Sequence, residues 1–140
     1  MENFNLPLMS DNISRDDINA VVDFLQQDPI PRLTNGPKVK EFESRWSEWV
    51  GMEYSVMVNS GTAANELTML ALNYISGTGE IIVPPLTWVS DVNSVLFAGH
   101  TPVFVDINLK NLSFDIEKLK AAITDKTKAI FLTHVLGLNG

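Results

Sequence analysis

The sequence predicts an α/β fold with a mostly parallel sheet and flanking helices. Short runs rich in β-branched residues, "EIIVPP", "TPVFVDI" and "KAIFLTHV", alternate with segments of helical period, an order that requires βαβ crossovers and parallel strands. The 140 residues, 45% of them hydrophobic, suffice for one ordinary core but are few for a complete enzyme, so one domain or a piece of one is expected.

"SRDDINAVVDFLQQ" reads as an amphipathic helix with Ser14 as N-cap and Asp17 at the capping-box position. Ile18, Val21, Val22 and Leu25 share one face, and the Asp16-Asp17 pair offsets the dipole of the first turn. "DPIPRLTNGP" breaks that helix with its prolines and Asn-Gly turn. Pro37 suits the first turn of a second helix, "KVKEFESRWSEWV", which Gly51 would end and whose apolar face is Val39, Phe42, Trp46 and Trp49. There follow strand "YSVMVN", helix "TAANELTMLALNYI", strand "EIIVPP", helix "WVSDVNSVLFA" stopped by Gly99, strand "TPVFVDI", helix "DIEKLKAAI" and strand "KAIFLTHV". His100, in the turn after Gly99, is expected to be solvated.

Composition excludes several function classes. Ten basic against 17 acidic residues give a net charge of −7 without a basic cluster, so nucleic acid and anionic membrane are poor partners. There is no cysteine, hence no disulfide and no thiolate metal site, and no metal is assigned. "MENFNLPLMSDN" lacks the charged start and apolar segment of a signal peptide. No run reaches the roughly 18 apolar residues of a membrane span. A soluble, cytoplasmic protein is expected.

In α/β sheets ligands gather beyond the carboxyl ends of the strands. Those ends carry Asn59-Ser60-Gly61-Thr62, then Pro85, Thr87 and Trp88, then Asp106, then Thr133-His134. A strand that ends in Ser-Gly-Thr and turns into a helix aims free backbone N–H groups outward, where they attract an anion such as phosphate. Gly61 allows close approach, Ser60 and Thr62 add hydroxyls, and Ala63 and Ala64 keep the first turn narrow. The same residues equally make an ordinary capped turn. Neither a Walker loop nor a dinucleotide fingerprint is present. Trp88 either offers its indole to a planar ring or packs on the start of its own helix. Asp106 reads as a cap, a loop anchor or a catalyst, and His134 as a ligand contact or a hydrogen-bonded strand end.

Taken in order, "LTNGPKVKEFE", "VNSGTAANEL", "IIVPPLTWVSDVNSVLFAGHTPVFVDI" and "DKTKAIFLTHVLG" resemble the N-terminal part of the DegT/DnrJ/EryC1/StrS family from about residue 30 onward. These are pyridoxal-phosphate sugar aminotransferases with the fold type I large domain. The resemblance implies that Gly61, Thr62 and Ala63, with Ser60, bind the cofactor phosphate, and that Trp88 stacks on the pyridine ring. It implies a nucleotide-linked keto sugar as substrate, glutamate as amino donor and a homodimer with sites at the interface, which "RLTNGP" could help form. Residues 1–36 are then an N-terminal helix and arm, and 37–140 part of the cofactor-binding large domain.

The family's Schiff-base lysine, and the aspartate facing the pyridine nitrogen, lie beyond the stretch equivalent to residue 140. Lys38, Lys40, Lys110, Lys118, Lys120, Lys126 and Lys128 are not placed as the buried, desolvated amine the chemistry requires. No catalytic residue is therefore assigned, and the chain is expected to be an N-terminal fragment, inactive alone. Two alternatives stand beside the aminotransferase. One is a deoxysugar 3-dehydratase of the same family, in which histidine replaces the lysine. The other is a non-catalytic module that binds a phosphate ligand.

Overall fold

The computed structural model describes residues 12 to 138, which form two compact units divided between Met57 and Val58.

The first unit holds two helices. Helix α1 (Arg15–Leu25) starts in the predicted capping box: Ser14 Oγ accepts from the Asp17 N–H, and the Asp17 carboxylate accepts from the Ser14 N–H at 2.7 Å. Ile18, Val21, Val22 and Leu25 remain well exposed within this unit. Helix α2 (Pro37–Val50) has Gly36 as N-cap and Pro37 in its first turn, and it ends at Gly51 in the left-handed region, φ 72°. Phe42 and Trp46 stack with ring centroids 6.0 Å apart, and Trp46 lies 4.9 Å from Trp49.

The expected strand "YSVMVN" does not form. Residues 54–58 carry no sheet pairing, and the Met57 N–H donates instead to the Glu43 carboxylate at 2.8 Å. β-branched side chains favour an extended chain, but a strand exists only through its ladder, and among the described residues these make no ladder pairing.

The second unit is a three-layer α/β/α assembly. Helix α3 (Gly61–Ser76) is followed by β1 (Glu80–Val83), α4 (Val89–Phe97), β2 (Thr101–Phe104), α5 (Ile116–Ala122), β3 (Thr127–Ile130) and a 3-10 turn, Val135–Gly137. The sheet is parallel in the order β2-β1-β3, with Glu80 opposite both Thr101 and Thr127. Ile81, Ile82 and Val83 of the central strand are wholly buried, as expected where helices cover both faces. Ile81 and Val83 pack with Met69 of α3 and Val95 of α4. Ile82 faces the other way, toward Val105, Phe114 and Leu119.

Two predicted strands are shorter than expected. "TPVFVDI" pairs only to Phe104 before an isolated bridge from Ile107 to Phe114, and "KAIFLTHV" pairs only to Ile130. The ladder runs out because β1 leads into Pro84-Pro85, which have no N–H to donate.

The expectation for His100 is also overturned, since the residue is only 4% exposed. Its Nδ1 accepts from the Gly79 N–H at 3.2 Å and its Nε2 lies 3.3 Å from the Met69 carbonyl oxygen. Gly99 at φ 80° turns the chain sharply after α4 and delivers the imidazole inward.

Candidate functional site

Right-handed crossovers put α4 and α5 on opposite faces, because β1 runs on to the neighbour at one side and β2 crosses back to β3 at the other. The connections that leave β1 and β2 thus go to opposite faces, and polar side chains gather beyond the carboxyl ends of β1 and β3, the end of a parallel sheet at which ligands bind.

Beyond those ends lies a buried carboxylate. Asp91, in the first turn of α4, is 5% exposed and accepts four side-chain hydrogen bonds. Thr87, following β1, and Thr133, following β3, both donate to Oδ2, the latter at 2.6 Å, and their hydroxyl oxygens are 3.0 Å apart. Asn65, in the first part of α3, donates Nδ2 to Oδ1 at 2.8 Å, and Ser90 adds a longer contact at 3.4 Å. Such a charge inside the protein demands this degree of pairing, and the start of α4 adds favourable dipole charge. Asp91 and Asn65 escape sequence reading because each looks like an ordinary polar residue of an amphipathic helix.

The bond from Asn65 to Asp91 joins the starts of α3 and α4, and so brings two groups of predicted residues together. At α3, Ser60 is the N-cap: its Oγ accepts from the Ala63 N–H at 3.1 Å. That bond uses the Ala63 amide for capping, and the Ala64 N–H goes to the Ser60 carbonyl. The N–H groups of Gly61 and Thr62 donate to no acceptor among the described residues, so these two amides are free for an anion. A Cβ added at Gly61 would meet no atom within 4 Å; the space in front of the helix is open. At α4, Trp88 is the N-cap residue by position, caps nothing with its side chain and is 70% exposed. The indole is therefore not packed on the start of its own helix.

The other predicted residues stand apart. Asp106 is an exposed loop anchor: one oxygen accepts from the Ile107 N–H at 2.9 Å and the other from Lys118 Nζ at 2.7 Å. The Lys118 hydrogen bond above all holds the Asp106 carboxyl below its usual range, and the same pair raises Lys118. His134 is exposed next to Thr133 at the start of the 3-10 turn, with no side-chain cap bond. Among the described residues no cluster of His, Cys, Asp and Glu is suited to a metal, and no helix is long and apolar enough to cross a membrane.

Taken together, two free amides, an open approach at Gly61 and an unpacked indole suit a ligand with a phosphate and a flat ring. Pyridoxal phosphate has both.

The chain matches the DegT/DnrJ/EryC1/StrS aminotransferase family over residues 11–139, and it belongs to that family. It is 39% identical over 98% of its length to a UDP-4-amino-4-deoxy-L-arabinose--oxoglutarate aminotransferase of Shewanella sediminis, and covers 34% of that protein. It is 37% identical over 95% of its length to a GDP-4-keto-6-deoxy-D-mannose 3-dehydratase of Yersinia pseudotuberculosis, again covering 34%. Among solved structures it superposes on the E. coli GDP-4-keto-6-deoxy-D-mannose-3-dehydratase with bound hydrated PLP at a TM-score of 0.81. That match has 35% identity and covers 95% of this chain and 35% of that one. The chain thus spans about a third of the length of the relatives it matches, and its sheet and helices are part of the fold type I large domain.

Proposed function

We propose that the whole protein is a pyridoxal-phosphate enzyme that transfers an amino group to a nucleotide-linked keto sugar, with glutamate as donor, in a homodimer. The observation that carries this reading is the pair of free amides at Gly61 and Thr62, tied through Asn65 and Asp91 to the turn bearing an exposed Trp88. Family membership and the aminotransferase relative support the reaction class.

In this reading residues 37–140 are part of the cofactor-binding domain, and residues 1–36 an N-terminal helix and arm. The Gly61 and Thr62 amides hold the phosphate where the α3 dipole favours negative charge, with the Thr62 hydroxyl as a further donor. Ser60 keeps the helix end open by capping Ala63, and the Trp88 indole covers one face of the ring and excludes water from it. The cofactor, when bound, supplies the electron sink for amino transfer. No described lysine holds the place of the amine that anchors it: Lys118 and Lys120 are paired with surface carboxylates. That amine belongs to the remainder of the protein.

The second reading, a 3-dehydratase, is favoured by the near-equal identity to relatives of the two activities. One experiment separates them. The purified whole protein is incubated with pyridoxal phosphate, glutamate and UDP- or GDP-linked 4-keto sugars, and the products are identified by mass. An aminated sugar supports the first reading, a 3-deoxy sugar the second. Failure to bind the cofactor refutes both and leaves a non-catalytic phosphate-binding module.

A further inference from the structure

We propose that Asp91 is a positioning residue: its buried carboxylate fixes the phosphate-binding start of α3 and the Trp88 turn relative to each other. The inference rests on the cofactor placement proposed above.

The argument is geometric. The Gly61 and Thr62 amides lie on one helix and the Trp88 indole at the start of another, and the loops that lead into the two helices share no described hydrogen bond. Asp91 supplies the missing link, since Oδ1 receives Asn65 of α3 while Oδ2 receives Thr87, the residue immediately before Trp88. The third arm, Thr133, closes the set from the chain that follows β3, beside His134. One carboxylate thus collects donors from both helix starts and from the chain beyond two strands. An ionised carboxylate only accepts, and all its close partners here are donors, so each arm has a single sense. Neutral donors also leave the carboxylate without a cationic partner among the contacts described, which makes the loss of any one arm costly for a group this buried. A phosphate held at one end and a ring at the other need this distance fixed, because a misplacement of about 1 Å is enough to lower catalysis by about a hundredfold.

The test uses the whole protein, stripped of cofactor and titrated with pyridoxal phosphate. Its readouts are the dissociation constant, the induced circular dichroism of the bound cofactor and the melting temperature of the apoprotein. Thr87→Val cuts the Trp88 arm at nearly constant volume, and is expected to weaken binding about fivefold, the value of one hydrogen bond. Asn65→Asp sets two carboxylates face to face and is expected to weaken binding about tenfold or more and to alter the induced dichroism. Adding Asp91→Asn to Asn65→Asp reverses the donor and acceptor of that arm, and is expected to restore both readouts. Full affinity and unchanged dichroism in Thr87→Val and Asn65→Asp would overturn the inference, as would a double variant no better than Asn65→Asp. Gly61→Val and Trp88→Ala serve as controls on the placement itself. Wild-type affinity in both of them overturns the placement, whereas loss in both with no effect of the Asp91 arms overturns the positioning role alone.

Discussion

The backbone N–H of Gly79 donates to Nδ1 of His100 across the start of the sheet, at 3.2 Å. With Nε2 turned to the Met69 carbonyl, the imidazole spans the gap between the α3 layer and the chain entering β1. His100→Ala leaves the Gly79 donor and the Met69 acceptor facing a cavity, and should cost about 2–4 kcal/mol. Urea unfolding checks this; an unchanged midpoint would show the imidazole to be dispensable.

Gly79 itself tolerates no side chain. An alanine Cβ would lie 2.5 Å from Lys128 Cγ and 2.6 Å from the Lys126 carbonyl oxygen. That carbonyl accepts the Glu80 N–H at 2.9 Å, so the clash falls on the first bond between β1 and the chain entering β3. Gly79→Ala should destabilise by about 1–3 kcal/mol through overpacking, visible as a lower melting temperature. Gly61→Ala, whose Cβ meets nothing, should leave the melting temperature of the apoprotein nearly unchanged and affect only ligand binding.

Trp88→Ala in the whole protein should weaken pyridoxal-phosphate binding about three- to tenfold, the range of one aromatic stack. Because the indole is exposed, the melting temperature of the apoprotein should stay within a degree or so of wild type, surface changes away from special features being nearly neutral. Retained affinity would count against stacking on the ring.

The pair of Asp106 and Lys118 gives a pH dependence of definite sign. The hydrogen bond from Lys118 lowers the Asp106 carboxyl below its ordinary 3.8, so its contribution to stability is present above that value and is lost as pH falls through the lowered one. Lys118 is raised above 10.5 by the same partner, so its contribution is present at lower pH and is lost as pH rises through the raised value. Both groups are exposed, and the effect is small and screened by salt. Carboxyl NMR titration should show Asp106 with a low midpoint that returns toward normal in Lys118→Met; a normal midpoint in wild type would refute the pair.

The 140-residue chain prepared alone should bind pyridoxal phosphate weakly at most. Borohydride should fix no cofactor to it, since Lys118 and Lys120 are surface ion-pair partners rather than buried amines. Mass spectrometry of a cofactor adduct on one of its own lysines after reduction would refute this.

By itself the sequence determined the alternation of elements, the capping box at Ser14 and Asp17, the stops at Gly51 and Gly99, and the Ser60-Gly61-Thr62 turn at a helix start. These depend on contacts within a few residues, which period and cap chemistry report directly. Tertiary structure alone decided the rest. "YSVMVN" has strand character but makes no sheet pairing among the described residues, and His100 looks like a turn residue but sits in the core. Asn65, Thr87, Asp91 and Thr133 lie far apart in the chain and meet only because the crossovers fold back over one sheet. Strand pairing and burial are fixed by residues distant in sequence, and the local pattern of one segment carries no record of what will stand beside it.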